Sequence, residues 1–153
     1  MLWSRLHDGS GLKKLREMIV RQGGDPRVCD DTALLGVAPV VAEVPCPADG
    51  YLKATDCTRL GYAAQRMGAG RVSKEDTLDL RVGFVMNRRI GDRCRRGESV
   101  CTVHAATPES AERAAGEILG ALTFSDAPCP PAVLIRDVVD ENGVRKPEDD
   151  ALC

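Results

Sequence analysis

The sequence predicts an α+β fold, and three observations carry that prediction. Short segments of alternating or continuous apolar residues, rich in Val and bounded by Gly, Pro and Asp, recur at 40–44, 50–54 and 82–86. Between and around them stand longer stretches with apolar residues at helical spacing, around 10–22, 60–68 and 108–122. The core must be aliphatic, since aromatic residues make up only 3% of a chain that is 43% apolar. At 153 residues the chain has the length of one domain. A chain of that size buries about two-thirds of the surface its unfolded form exposes, enough to fold without disulfide or metal.

Taken in order, Leu12, Leu15, Met18 and Ile19 form one apolar stripe behind Ser10, which predicts a helix with Ser10 as side-chain cap and Gly23-Gly24 as its stop. Lys13, Lys14, Arg16, Glu17 and Arg21 fall mostly on the opposite face, so this amphipathic helix needs something to pack on. Asp25-Pro26 and Asp30-Asp31 predict a loop up to Pro39 with at most one helical turn, near Leu34-Leu35. Val40–Val44 and Gly50–Ala54 read as strands joined by a sharp bend at 45–49. A helix closed by Gly68 follows, in which Gly61, Ala63 and Ala64 would allow close approach to a sheet. Gly68 and Gly70 are expected to take positive φ and to leave Arg71 pointing away. Val82–Met86 is the next strand. Ile90–His104, punctuated by Gly91 and Gly97, has the pattern of a folded-over hairpin. Pro108–Leu122 reads as a helix capped by Thr107, with Glu109 and Glu112 in its first turn and Ala111, Ala114, Ala115, Ile118 and Leu122 on its apolar face. A last strand is expected within 132–139. The division into units is 1–39 (helix and connecting loop), 40–139 (the α/β body) and 140–153 (an acidic, flexible tail).

Composition narrows the function classes. The net charge of -2 supplies no field to attract nucleic acid or anionic membrane. The N-terminus holds no apolar run long enough for a signal peptide, and no segment approaches a membrane span, so a cytoplasmic protein is expected. The seven cysteines, at 29, 46, 57, 94, 101, 129 and 153, include no Cys-x-x-Cys pair. They read as free thiols serving as small buried hydrophobes, with no metal site.

Three groups invite chemistry. Gly68-Ala69-Gly70-Arg71 suggests a phosphate loop, but a dinucleotide fingerprint needs a strand before its glycines and a helix after them, and here the helix comes first with Ser73 in the third position. The favoured reading is a structural turn at Gly68, Gly70 and Arg71, with phosphate binding the alternative. Arg88, Arg89, Arg93, Arg95 and Arg96 look basic, yet Asp92 and Glu98 interrupt them and no aromatic residue is interleaved, which favours a solvated face over a nucleic-acid site. His7 and His104, the two histidines, have no neighbour at a catalytic spacing, and His104 reads as a hydrogen-bonded structural histidine.

The stretches Pro47–Leu52 and Ile90–Val100 resemble the two edges of the flattened β-sandwich of biotinyl and lipoyl carrier domains. The displayed lysine such carriers need is missing, because Lys74 sits in the wrong context. A more extensive resemblance runs over about 8–128. Leu15-Arg16-Glu17-Met18-Ile19, Gln22-Gly23-Gly24-Asp25-Pro26, Pro47–Tyr51, Met67–Arg71, Lys74-Glu75-Asp76, Asp79, Val82-Gly83, Gly91-Asp92, Gly97-Glu98 and Val103-His104-Ala105 together look like the C-terminal part of thymidine and pyrimidine-nucleoside phosphorylases. The resemblance implies an α/β hammerhead-like domain with barrel-sandwich-hybrid-like β halves, with turns at Gly50, Gly91 and Gly97, packed with two or three helices. It also implies a structural contribution to phosphorolysis of pyrimidine nucleosides, in which orthophosphate is co-substrate and free base and pentose 1-phosphate are the products. The family's phosphate- and base-binding regions have no counterpart in these residues, so no catalytic, substrate-binding or metal residue is assigned and no cofactor is expected. The implied partners are the N-terminal catalytic lobes of a phosphorylase, in cis or in trans, with a homodimer as a further option. Two competing readings are a small binding or assembly module that reuses the fold and, less favoured, an intact enzyme using Arg71, Lys74 and His104.

Overall fold

In the computed structural model, which describes residues 2–141 and 143–147, the chain opens with two helices, α1 (Leu2–His7) and α2 (Ser10–Arg21), and two single 3-10 turns at Pro26–Cys29 and Thr32–Leu35. Ser10 does not cap α2 but is its first residue. Gly9 holds the cap position in the left-handed conformation, and the Asp8 carboxylate takes up the Ser10 amide at 2.8 Å. The loop reading of 25–39 understated its structure, because Asp25 and Asp31 each accept an amide two residues on and so start a 3-10 turn.

The α+β body follows. Its strands are β1 (Val40–Pro45), β2 (Gly50–Thr55), β3 (Gly83–Met86), β4 (Arg93–Cys94), β5 (Ser99–Ala105) and β6 (Leu122–Ser125). They form two antiparallel three-stranded sheets, ordered β1-β5-β3 and β4-β2-β6. Helix α3 (Cys57–Ala64) leads out of β2, and α4 (Pro108–Gly120) links β5 of the first sheet to β6 of the second. Among the described residues, no helix is long and apolar enough to cross a membrane.

The segment 90–104 is not a hairpin closed on itself. Cys94 pairs with Gly50 in one sheet while Ser99–Ala105 pairs with β1 and β3 in the other, so the turn at Gly97 is a crossing between sheets. The β1-to-β2 connection crosses in the same way, and the two crossings bond to each other: Cys46 N–H donates to Glu98 O (2.7 Å) and Gly97 N–H to Cys46 O (2.9 Å). A third crossing, between β3 and β4, is held where Gly91 N–H donates to Leu52 O (2.9 Å) and Leu52 N–H to Asp92 O (3.0 Å).

One aliphatic core fills the body. Val44, Leu52, Val100, Val103 and Ile118 are fully buried within it, joined by Cys46, Cys94 and Cys101. Period-2 alternation along β5 turns Cys101, Val103 and Ala105 inward and leaves Thr102 and His104 facing outward. In α4, Ala111, Ala114 and Ile118 are buried as their spacing predicts, and the Thr107 hydroxyl accepts the Ser110 amide at 3.2 Å. The helix ends two residues before Leu122, which opens β6, a strand with no separate signal in the sequence. Gly61 is exposed, and α3 packs chiefly along α4, so Ala63 alone of the three small residues is fully buried. No strand spans 132–139; β7 (Val138–Asp140) instead forms a small hairpin with β8 (Gly143–Arg145). Within the segment expected to be a tail, Gly143–Arg145 form the second strand of this hairpin, and 148–153 lie outside the described residues.

Candidate functional site

The turn after α3 is the first candidate site. Asp56 caps that helix by accepting the Arg59 amide (3.0 Å), and Leu60, Ala63 and Met67 are buried beneath it. The last turn widens into a π-type segment at Gln65–Ala69. Gly68 there has φ 103°, as expected of a residue in that turn, but Gly70 is extended at φ -136°, a conformation open to any residue. What opposes a side chain at Gly70 is crowding: a Cβ would lie 3.0 Å from Cγ, 3.1 Å from Cβ and 3.2 Å from Cα of Gln65. Gln65 in turn donates its side-chain amide to the Arg71 carbonyl. The Arg71 side chain is exposed.

The loop beyond is closed by its own carboxylates. Asp76 accepts the amides of Val72 (2.8 Å) and Ser73 (2.9 Å) and the Ser73 hydroxyl (2.9 Å), and these bonds hold its pKa below the ordinary carboxylate value. The Asp79 amide donates to Gly68 O (3.1 Å), while its carboxylate takes both Nε and Nη2 of Arg81 at 2.9 Å. The hydrogen bonds from Arg81 bring the Asp79 pKa down to about 2. Two of the amides that follow the glycines, those of Val72 and Ser73, are therefore engaged by Asp76. Val72 (77% exposed) and Leu80 (89% exposed) stand out on the same loop.

The arginine group is partly neutralised. Glu98 accepts from Arg88 (3.2 Å) and lies 3.8 Å from Arg95, which keeps its own pKa low. Asp92 and Asp49 bond the backbone amides of Arg89 and Arg96, each at 2.8 Å, fixing the crossings around Gly91, Gly97 and Gly50. His104 stands half-exposed on the outward face of its sheet between Val41 and Gly83, with no ring hydrogen bond among the described residues. The hydrogen bond expected of a structural histidine is not present there among the described residues. Below it, Glu43 accepts from the Thr102 hydroxyl (3.0 Å) and from Ser99. Asn87 donates to Ser99 (2.8 Å) and Thr102 (2.9 Å), so this polar patch satisfies itself.

Three cysteines, Cys46, Cys94 and Cys101, behave as the small core hydrophobes expected of them, and burial pushes the Cys101 thiol up to about 11. Cys57 is exposed at the start of α3, and Cys29 and Cys129 are half-buried, so the expectation of burial fails at these three. Cys153 lies outside the described residues.

Sequence reading missed a groove of about 660 Å³ between α2 and the two 3-10 turns, lined by Leu12, Leu15, Ile19, Val28 and Leu35 among others. The signal was present in the unmatched apolar stripe of α2 and the Leu34-Leu35 pair.

These features define an α+β domain of two interlocked antiparallel sheets, with the carboxylates of Asp49, Asp76 and Asp92 holding its turns. Comparison with known proteins gives the family. Residues 51–125 match the family described as Pyrimidine nucleoside phosphorylase C-terminal domain. The chain is 38% identical over 105 residues to a pyrimidine-nucleoside phosphorylase of Geobacillus stearothermophilus, covering 69% of this chain and 24% of that protein. With the Staphylococcus epidermidis strain RP62A enzyme of the same name the identity is 35% over 109 residues, 71% of this chain and 25% of the relative. With that of Staphylococcus aureus strain MSSA476 it is 30% over 140 residues, 92% of this chain and 32% of the relative. The chain carries a pyrimidine nucleoside phosphorylase C-terminal domain, and it spans between about a quarter and a third of the length of these curated relatives.

Proposed function

We propose that this domain acts as the structural C-terminal part of a pyrimidine-nucleoside phosphorylase, supporting phosphorolysis of a pyrimidine nucleoside by orthophosphate to free base and pentose 1-phosphate. The cytoplasm is its proposed location, and its proposed partner is the catalytic part of the phosphorylase, in the same polypeptide or a separate one. The observation that carries the reading is the match over 51–125 to the family's C-terminal domain. The hammerhead-like arrangement belongs to the same proposal and is supported by two mutually bonded crossings between the sheets and a third held against β2 at Leu52. In this reading residues 40–139 are the domain proper, and the turn at Gly68, Gly70 and Arg71 is scaffold that joins α3 to β3.

The test is release of thymine or uracil from the nucleoside in phosphate buffer, with residues 1–153 alone at high concentration and again with the N-terminal part of a relative added. The expected result is no turnover by residues 1–153 alone and turnover on mixing. Turnover by residues 1–153 alone refutes the structural role.

A further inference from the structure

The groove beside α2 stands out because it is built and yet uncovered among the described residues. Leu12, Leu15 and Ile19 lie on one side of the helix at i, i+3 and i+7, facing Val28 and Leu35 from the 3-10 turns. No residue of α2 is buried, and Leu12 and Leu15 are about half exposed. The groove is nevertheless held in shape. Arg16 grips the Asp30 carboxylate with both nitrogens (2.9 and 2.6 Å) and reaches the Pro26 carbonyl at 3.3 Å, fastening the turns to the helix. The principal neighbours of α2 are α1 and the Pro26–Cys29 turn, not the two sheets. A preformed apolar groove of this kind marks an interaction surface. The outward face of the β1-β5-β3 sheet differs, because the carboxylate of Glu43 and its Ser99, Thr102 and Asn87 partners already satisfy one another there.

The relatives indicate what covers the groove. The Staphylococcus aureus match takes in 140 residues of this chain, so most of α2 and both 3-10 turns fall within it wherever it begins. The matched part is 32% of that relative, and the family is by description a C-terminal domain, so about two-thirds of the relative lies outside the match and chiefly ahead of it. We infer that the groove formed by Leu12, Leu15, Ile19, Val28 and Leu35 is the seam on which the preceding, catalytic part of the phosphorylase docks, through an apolar, aliphatic-rich face. This inference rests on the proposed function and assigns the surface through which it is exercised.

The experiment co-produces residues 1–153 with a tagged Staphylococcus aureus phosphorylase truncated where the match to this chain begins, and measures how much untagged chain copurifies. The double variant Leu15→Asp with Ile19→Asp is compared with Val85→Asp on the outward sheet face. Circular dichroism confirms that each variant keeps its helices. The expected result is recovery of the unaltered chain in an equimolar complex, a loss of at least tenfold for the α2 variant, and no loss for Val85→Asp. Equal recovery of the α2 variant overturns the inference, as does failure of the unaltered chain to copurify. Sedimentation showing that the groove pairs two copies of this chain, with no exchange for the phosphorylase part, overturns it too. Copurification that depends on α2 without phosphorolysis removes the functional reading and leaves the seam. Phosphorolysis indifferent to the α2 variant removes the seam and leaves the function.

Discussion

Replacing Gly68 with Ala separates the two physical reasons for the glycines after α3. At φ 103° an L side chain is strained, yet a Cβ there would meet only Val82 Cγ2, at an ordinary 3.8 Å. The cost is therefore almost purely conformational, about 1–3 kcal/mol. For a chain of this size that is a fall in Tm of roughly 2–4 °C per kcal/mol. Gly70→Ala faces the opposite situation: its φ of -136° is free of strain, but the new Cβ crowds Gln65 at 3.0 to 3.2 Å. Only a few tenths of an ångström of movement relieve that contact, and the expected loss is of order 1 kcal/mol. Urea unfolding followed by circular dichroism, with Gly68→Asn as a third variant, tests the distinction, because Asn tolerates positive φ better than Ala. The expected order of stability is unaltered chain, Gly70→Ala, Gly68→Asn, Gly68→Ala. A Gly68→Ala protein as stable as the unaltered chain, with reduced affinity for orthophosphate, would refute the scaffold reading of this turn.

Two further predictions concern the core. Ile118→Ala removes a fully buried side chain from α4 between the sheets and should cost about 2–5 kcal/mol in chemical denaturation; a loss well below 1 kcal/mol would show that α4 is not docked as described. Cys101 and Cys57 should differ in reactivity towards a thiol reagent at pH 8, Cys57 being exposed and Cys101 fully buried with its pKa raised to about 11. Because the folded-state pKa of Cys101 lies above its ordinary value of 9.0, its contribution to stability is complete below pH 9 and is lost as pH climbs towards 11. A Cys101→Ala variant should therefore show a shallower fall in stability across that interval, and an identical slope would count against the burial of this thiol.

Much of the body could be read from the residues because local signals and tertiary context agree there. Thr107 with Ala111, Ala114 and Ile118 specifies α4, and alternation specifies β5. The misreadings arise where distant pairing decides. Gly97 looks like a hairpin turn because hairpins and sheet crossings use the same turn residues. Only the pairing of Cys94 with Gly50 in one sheet and of β5 with β1 and β3 in the other shows that its flanking strands part company. Leu122–Ser125 has too few residues to announce a strand and becomes one by pairing with β2. At the turn, Gly70 was legible as a tight position but not for its reason, since crowding by Gln65 depends on the widened π segment. The groove on α2 was visible only as an apolar stripe without a partner.

Exchange of the domain itself puts its structural role to the strictest test. The matched region of the Staphylococcus aureus phosphorylase is replaced by the corresponding residues of this chain, and release of the pyrimidine base is measured against the intact enzyme and against the enzyme lacking that region. The exchanged protein is expected to turn over while the shortened one does not. Equal activity of the shortened and exchanged proteins, or a well-folded exchanged protein with no phosphorolysis, would contradict that role.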